Sequence, residues 1–196
     1  MELEQYKSIA LQRLNKTIAN NEKESMYYAC MGIMEETGEI VAEIRKPLFK
    51  GNFHEKKLDI EKISKEIGDL TWYVSLICKN TDIDMNQIEK IRQDSNSIGT
   101  KRERLIQIAI KIGENSGKII HEYQEVYRDK KDNVELLEKI QIQFSCICEL
   151  LNELDINIDQ ILNINIQKVN SRYNKKGEAI KENDDREGIV EDENEK

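Results

Sequence analysis

One proline, one tryptophan, three phenylalanines and nine glycines among 196 residues leave little of the punctuation that a strand-and-turn protein needs. Also missing is any run of the roughly 18 to 20 apolar residues required to span a membrane. The opening stretch MELEQYKSIALQRLNK holds no apolar segment fit for a secretory signal. A cytoplasmic protein without a membrane partner is expected. The four cysteines, Cys30, Cys78, Cys146 and Cys148, fall within helical patterns and lack metal-ligand spacing, so they read as buried thiols. A surplus of positive charge is absent too. The net charge of -8 argues against nucleic acid as a partner, because a phosphate backbone is held by excess Lys and Arg.

What is present is helical periodicity. Hydrophobic residues make up 38% and charged residues 35%, the profile of amphipathic helices around a shared core, and an all-α helical bundle is expected. Apolar spacing predicts seven helices, near 3–15, 25–46, 59–80, 84–94, 101–127, 133–153 and 158–173. Pro47 should end the second near Lys46, before a loop LFKGNFHEKK in which Gly51 permits a turn. Residues 174–196 are rich in Glu, Asp, Asn and Lys with almost no apolar period, and read as a disordered tail.

The chain also resembles itself. IMEETGEIVAEI (33–44) is similar to IGENSGKIIHEY (112–123) at an offset of 79, and TDIDMNQI (81–88) to LDINIDQI (154–161) at an offset of 73. Two diverged copies suggest a tandem pseudo-dimer of helical hairpins rather than a stacked repeat array. The expected division is 1–98 as a first repeat, 99–173 as a second that completes the bundle, and 174–196 as the tail.

Acids concentrate in the first copy. Glu36 and Glu39 share a helix face, Glu66 and Asp69 repeat the spacing on the next helix, and Glu35 adjoins the first pair. For isolated acids a solvated face is the ordinary reading, and it suffices for Glu43 and Glu61. Glu66 is different, because Ile63, Leu70, Tyr73 and Ile77 surround it on the helical wheel and place it within an apolar stripe. A carboxylate there must be paired, protonated or metal-bound. Two carboxylates about 4 Å apart repel by roughly 4 kcal/mol at an effective dielectric near 20, so four converging acids call for cations. All-oxygen ligation suits Mg²⁺ or Mn²⁺, with phosphates sharing the coordination sphere.

EETGE followed by EIGDLTWYV resembles the signature of the MazG-like all-α nucleoside triphosphate pyrophosphohydrolases, E-E-x-x-E, a spacer, then E-x-x-D. EQYKSIALQRLN, LFKGNFH and Trp72-Tyr73 extend the resemblance over residues 3 to about 90. It implies a Mg²⁺-dependent enzyme, with Mn²⁺ able to substitute, that hydrolyses an NTP or dNTP to monophosphate and pyrophosphate. Glu36, Glu39, Glu66 and Asp69 would bind the metal and Glu35 would orient or deprotonate the attacking water.

In the second copy Asn115 stands opposite Glu36, Lys118 opposite Glu39, Lys139 opposite Glu66 and Ile142 opposite Asp69, so no metal is expected there. That copy keeps Lys168 and NSRYNKKG, which resembles the K-x-x-x-R-Y ending of single-unit members of the family. Lys168 and Arg172, with Lys46, Lys50 and His54 in or beside the loop, are candidates for holding the triphosphate. Solvated or neutralising roles are the alternative for these cations. Trp72 and Tyr73 read as core before they read as a base-stacking pair, and His121 has no metal-spaced companion. A nucleotide-binding sensor without turnover is the competing function. Monomer, as a pseudo-dimer, and homodimer both stay open, as do base, sugar and pathway.

Overall fold

The computed structural model describes residues 1–49, 57–88, 99–173 and Glu178, and among them the chain is all-α. Its helices are α1 (Leu3–Ala10), α2 (Lys16–Ala19), α3 (Glu22–Phe49), α4 (Ile60–Asn80), α5 (Lys101–Asp129), α6 (Val134–Leu154) and α7 (Ile158–Arg172). The predicted tail, apart from Glu178, and most of the predicted 84–94 helix lie outside the described residues. What is described of the latter is a 3₁₀ turn over Met85–Gln87.

Two predicted ends change for physical reasons. The N-terminal segment divides because Leu14 is extended and Asn15 caps a new turn by accepting from the Thr17 amide at 2.8 Å. α3 runs past Lys46 to Phe49, with Pro47 inside its last turn and buried beside Leu48. The ring removes the bond that an N–H at this position would have made to the Glu43 carbonyl, and the helix ends two residues later. Arg102 meets the exposed end, donating to the Leu48 carbonyl at 3.4 Å and lying 5.0 Å from the Phe49 ring centre.

α3 and α4 run antiparallel, since Gly32 lies against Tyr73 while Ser25 accepts from Asn80. α5 and α6 form a second antiparallel pair, marked by Arg104–Glu153 at one end and Asn115–Gln143 further along. The pairs join through α3 and α5, where Thr37 and Ser116 are hydrogen-bonded at 2.8 Å, and α7 packs on α4 and α1. One apolar core runs through all of this, with Ile33, Ile40, Ile63, Ile67, Leu70, Ile112, Ile140 and Ile147 fully buried. Each such side chain contributes about 1.5–3 kcal/mol relative to exposure.

The connections after α4 and α6 are built alike. Asp82 and Asp155 both adopt the left-handed region, at φ 54° and 57°. The amide of Ile83 reaches back to the Cys78 carbonyl at 2.9 Å, and that of Ile156 to Leu151 at 3.0 Å. Asp84 then caps by accepting from the Asn86 amide, as Asn157 does from Asp159. Every pair in this series is separated by 73 residues. Three of the thiols are buried and Cys148 is half-buried, and none of the four is in a disulfide.

Candidate metal centre

The buried stripe of α3 passes through Ala29, Ile33, Thr37, Ile40 and Ile44, and that of α4 through Ile63, Ile67, Leu70, Val74 and Ile77. Glu36 and Glu39 border the first stripe and Glu66 and Asp69 the second. Glu66 thus stands at the edge of its stripe and is half-buried, where the sequence suggested a place inside it. Tyr73, one of the neighbours used in that reading, is itself half-buried and leaves this edge open.

Carboxylate oxygens of Glu36, Glu39 and Glu66 lie within 4.8 Å of one another. Glu36 is half-buried and Glu39 exposed, so the group sits at the edge of the core rather than inside it. Burial, reinforced by Asp69, Glu66 and Glu39, pushes Glu36 from 4.5 up to about 8. Burial together with Glu39 and Asp69 raises Glu66 as well, partly offset by a hydrogen bond with Glu36 and by Lys168. These acids therefore hold protons that carboxyls in water would have lost, for want of compensating positive charge. A hard divalent cation fits that deficit and that all-oxygen donor set.

Asp69 is placed differently from the other three. Lys168 of α7 pairs with its Oδ2, and Asn165 of α7 donates to Oδ1 at 2.7 Å. Lys168, named from the sequence as a candidate for the triphosphate, meets this acid across 99 residues of chain. Beyond Asp69 opens a cleft of about 370 Å³, within the size range of small-molecule sites. Glu36 and Asp69 stand at its acidic side, Arg13, Lys168 and Arg172 bring positive charge, and Tyr28, Trp72, Tyr73 and Tyr173 line it. The rings of Tyr28, Trp72 and Tyr73 pack edge to face, with centres 5.1 to 6.1 Å apart. Trp72 and Tyr73, read from sequence as core, are half-buried and form this wall. Gly32 lets Tyr73 lie flat on α3, since a Cβ at that position would fall 2.2 Å from the ring.

Of the other predicted site residues, Glu35 is exposed beside the acids, and its charge reaches Tyr28 and Tyr73. Lys46 is exposed and paired with Glu43 at 2.6 Å, away from the cleft. Lys50 and His54 lie outside the described residues. His121 is exposed. Residues that sequence reasoning missed include Tyr6, Arg13, Asn15 and Asn165. Asn165 alone carried a signal, as a polar residue amid the apolar stripe Ile161, Leu162 and Val169 of α7.

In the second hairpin, Asn115, Lys118, Lys139 and Ile142 line a common pocket of about 240 Å³. Lys118 pairs with Glu114 and Lys139 with Glu138, while Asn115 donates to the Lys139 carbonyl at 2.7 Å and to Gln143 at 3.1 Å. Its polar groups satisfy one another and present no cluster of acids.

Residues 25–93 match the family model of the MazG nucleotide pyrophosphohydrolase domain. That segment contains Glu35, Glu36, Glu39, Glu66 and Asp69 but not α7. Neither the curated proteins nor the solved structures returned a match to the chain.

Proposed function

We propose that this protein hydrolyses a nucleoside triphosphate to the monophosphate and pyrophosphate, a reading supported by the match of residues 25–93 to the MazG nucleotide pyrophosphohydrolase model. In this reading Glu36, Glu39, Glu66 and Asp69 hold Mg²⁺, for which Mn²⁺ can substitute. The observation that carries it is the convergence of Glu36, Glu39 and Glu66 within 4.8 Å, with Glu36 also lining a cleft that holds Asp69, cations and aromatic faces. Carboxylates, cations and aromatic faces are the groups that a metal-bound triphosphate and a base require.

A divalent cation in this donor set supplies charge neutralisation at the reacting phosphate and makes a bound water more acidic. Glu35 accepts the proton of the attacking water. The water oxygen bonds to the α-phosphorus, the bond from that phosphorus to the α,β-bridging oxygen breaks, and pyrophosphate departs with the electron pair. Lys168 and Arg172 bind the triphosphate, and the Tyr28–Trp72–Tyr73 wall takes the base. The substrate is an NTP or dNTP.

We also propose that the chain is a tandem pseudo-dimer, with 1–98 supplying the metal ligands and 99–173 a second hairpin that has lost them. Support comes from the Thr37–Ser116 contact, the matched turns at Asp82 and Asp155, and the common pocket of Asn115, Lys118, Lys139 and Ile142. The second half still contributes α7, and with it Lys168 and Arg172, to the cleft.

A panel of NTPs and dNTPs incubated with Mg²⁺, with products resolved by chromatography, tests the activity. Monophosphate and pyrophosphate in equal amounts, lost in Glu66→Gln and Asp69→Asn, are expected. Tight nucleotide binding without turnover on the whole panel would replace the enzyme with a sensor.

A further inference from the structure

Asp69 is gripped at both oxygens, and the two grips differ in kind. At Oδ1 the donor is the amide of Asn165, 2.7 Å away. That amide cannot be turned round, because its own oxygen accepts from the Tyr6 hydroxyl at 2.6 Å. Tyr6 is fully buried and Asn165 is 3% exposed. α7 presses close here, since a Cβ on Gly68 would lie 3.1 Å from the Asn165 side chain. Oδ1 is therefore held by a rigid, neutral and fully satisfied chain running from α1 through α7 to α4.

At Oδ2 the partner is the ammonium of Lys168, at the end of a long side chain that lines the cleft and is 18% exposed. A single positive charge on a flexible stem is the partner that can exchange. Glu36, Glu39 and Glu66 bring three more carboxylates together, their oxygens within 4.8 Å of one another, with no ion pair among the described residues.

Resting on the reading of this cleft as a metal–nucleotide site, we infer that Lys168 is an internal counter-cation for the metal centre. In the metal-free protein its ammonium occupies Asp69 Oδ2. When a divalent cation claims that oxygen, the ammonium is released into the cleft, where a triphosphate needs it. Asn165 and Tyr6 are the positioning residues that keep the carboxylate oriented through the exchange. Metal and triphosphate then bind as a coupled pair. Metal alone must displace Lys168, and a triphosphate offers the displaced ammonium a new partner. Lys168 and Asn165 both lie beyond the family-matched segment, so the coupling is a contribution of the second half of this chain.

The test is calorimetric titration with Mn²⁺ in the absence of nucleotide, on the full chain, with Lys168→Met, Asp69→Asn and the double variant. Lys168→Gln serves as a second neutral substitution, and circular dichroism verifies folding of each. Removing a part-buried competing cation should tighten Mn²⁺ roughly tenfold. The gain should vanish in the Asp69→Asn background. Adding α,β-methylene-ATP should tighten Mn²⁺ in the wild type and much less in Lys168→Met. Unchanged or weaker Mn²⁺ binding in both neutral variants overturns the inference. So does an equal gain with and without Asp69, which would mean general electrostatics. Mn²⁺ binding that is lost in Glu36→Gln but indifferent to Lys168 refutes the inference and leaves the metal centre standing. No Mn²⁺ binding by any form refutes both.

Discussion

Thr37 Oγ1 and Ser116 Oγ share a buried hydrogen bond of 2.8 Å where α3 crosses α5, and the two residues are 79 positions apart. That is the offset at which residues 33–44 resemble residues 112–123. A contact between counterparts lies on a two-fold axis when two similar units pair, which is why it supports the proposed duplication. It also links the halves chemically. Gln143 of α6 donates to the Ser116 hydroxyl at 3.0 Å, and Thr37 is the neighbour of Glu36. Ser116→Ala would leave Thr37 and Gln143 each short of a partner, and should destabilise the chain by about 1–3 kcal/mol. Urea unfolding measures this. An unchanged midpoint would mean that the hydroxyl pair contributes nothing.

Two glycines of α3 should respond oppositely to alanine. Gly38 is exposed and a Cβ there meets nothing within 4 Å, so Gly38→Ala should stabilise by up to about 1 kcal/mol through helix propensity. Gly32→Ala forces the Tyr73 ring, boxed by Tyr28 and Trp72, to move, and should cost about 1–3 kcal/mol. Melting temperatures that move in the same direction would contradict this packing.

Most of the fold was legible in the sequence because its helices are long and amphipathic, and periodicity locates such helices well. Local chemistry blurred the ends, as Asn15 opened a new turn and Pro47 fitted into the last turn of α3. Glu36, Glu39 and Glu66 were readable because spacings of three on one helix set a common face. Asp69 was readable as an acid, but its partners were not. Lys168, Asn165 and Tyr6 reach it only through the packing of α7 and α1 on α4, which no local pattern encodes. Trp72 and Tyr73 do pack against the core, as their place on α4 suggested, but only the packed structure shows the cleft that they also line.

Acidity offers a further prediction. Glu36 titrates near 8 and Glu66 is raised in the same direction, so the metal-free fold binds protons that the unfolded chain releases. The stability from these groups is complete below 4.5 and is lost as the pH rises through about 8. In EDTA the melting temperature should therefore fall from pH 6 to pH 9. The fall should shrink with Mg²⁺, which takes the place of the protons, and in Glu36→Gln. A melting temperature independent of pH in EDTA would contradict the raised acids.

The pocket of the second hairpin should be catalytically silent. Lys118 and Lys139 pair with Glu114 and Glu138, so Lys118→Gln with Lys139→Gln should change kcat/KM by less than about fivefold, the scale of an exposed ion pair. A larger loss would show that this half touches substrate through more than α7.

The central claim is that water attacks the α-phosphorus of a nucleoside triphosphate. Hydrolysis of the best substrate in H₂¹⁸O, followed by mass spectrometry of both products, tests it most directly. One ¹⁸O in the nucleoside monophosphate and none in pyrophosphate is the predicted result. Label in pyrophosphate, or release of orthophosphate as the first product, would contradict it.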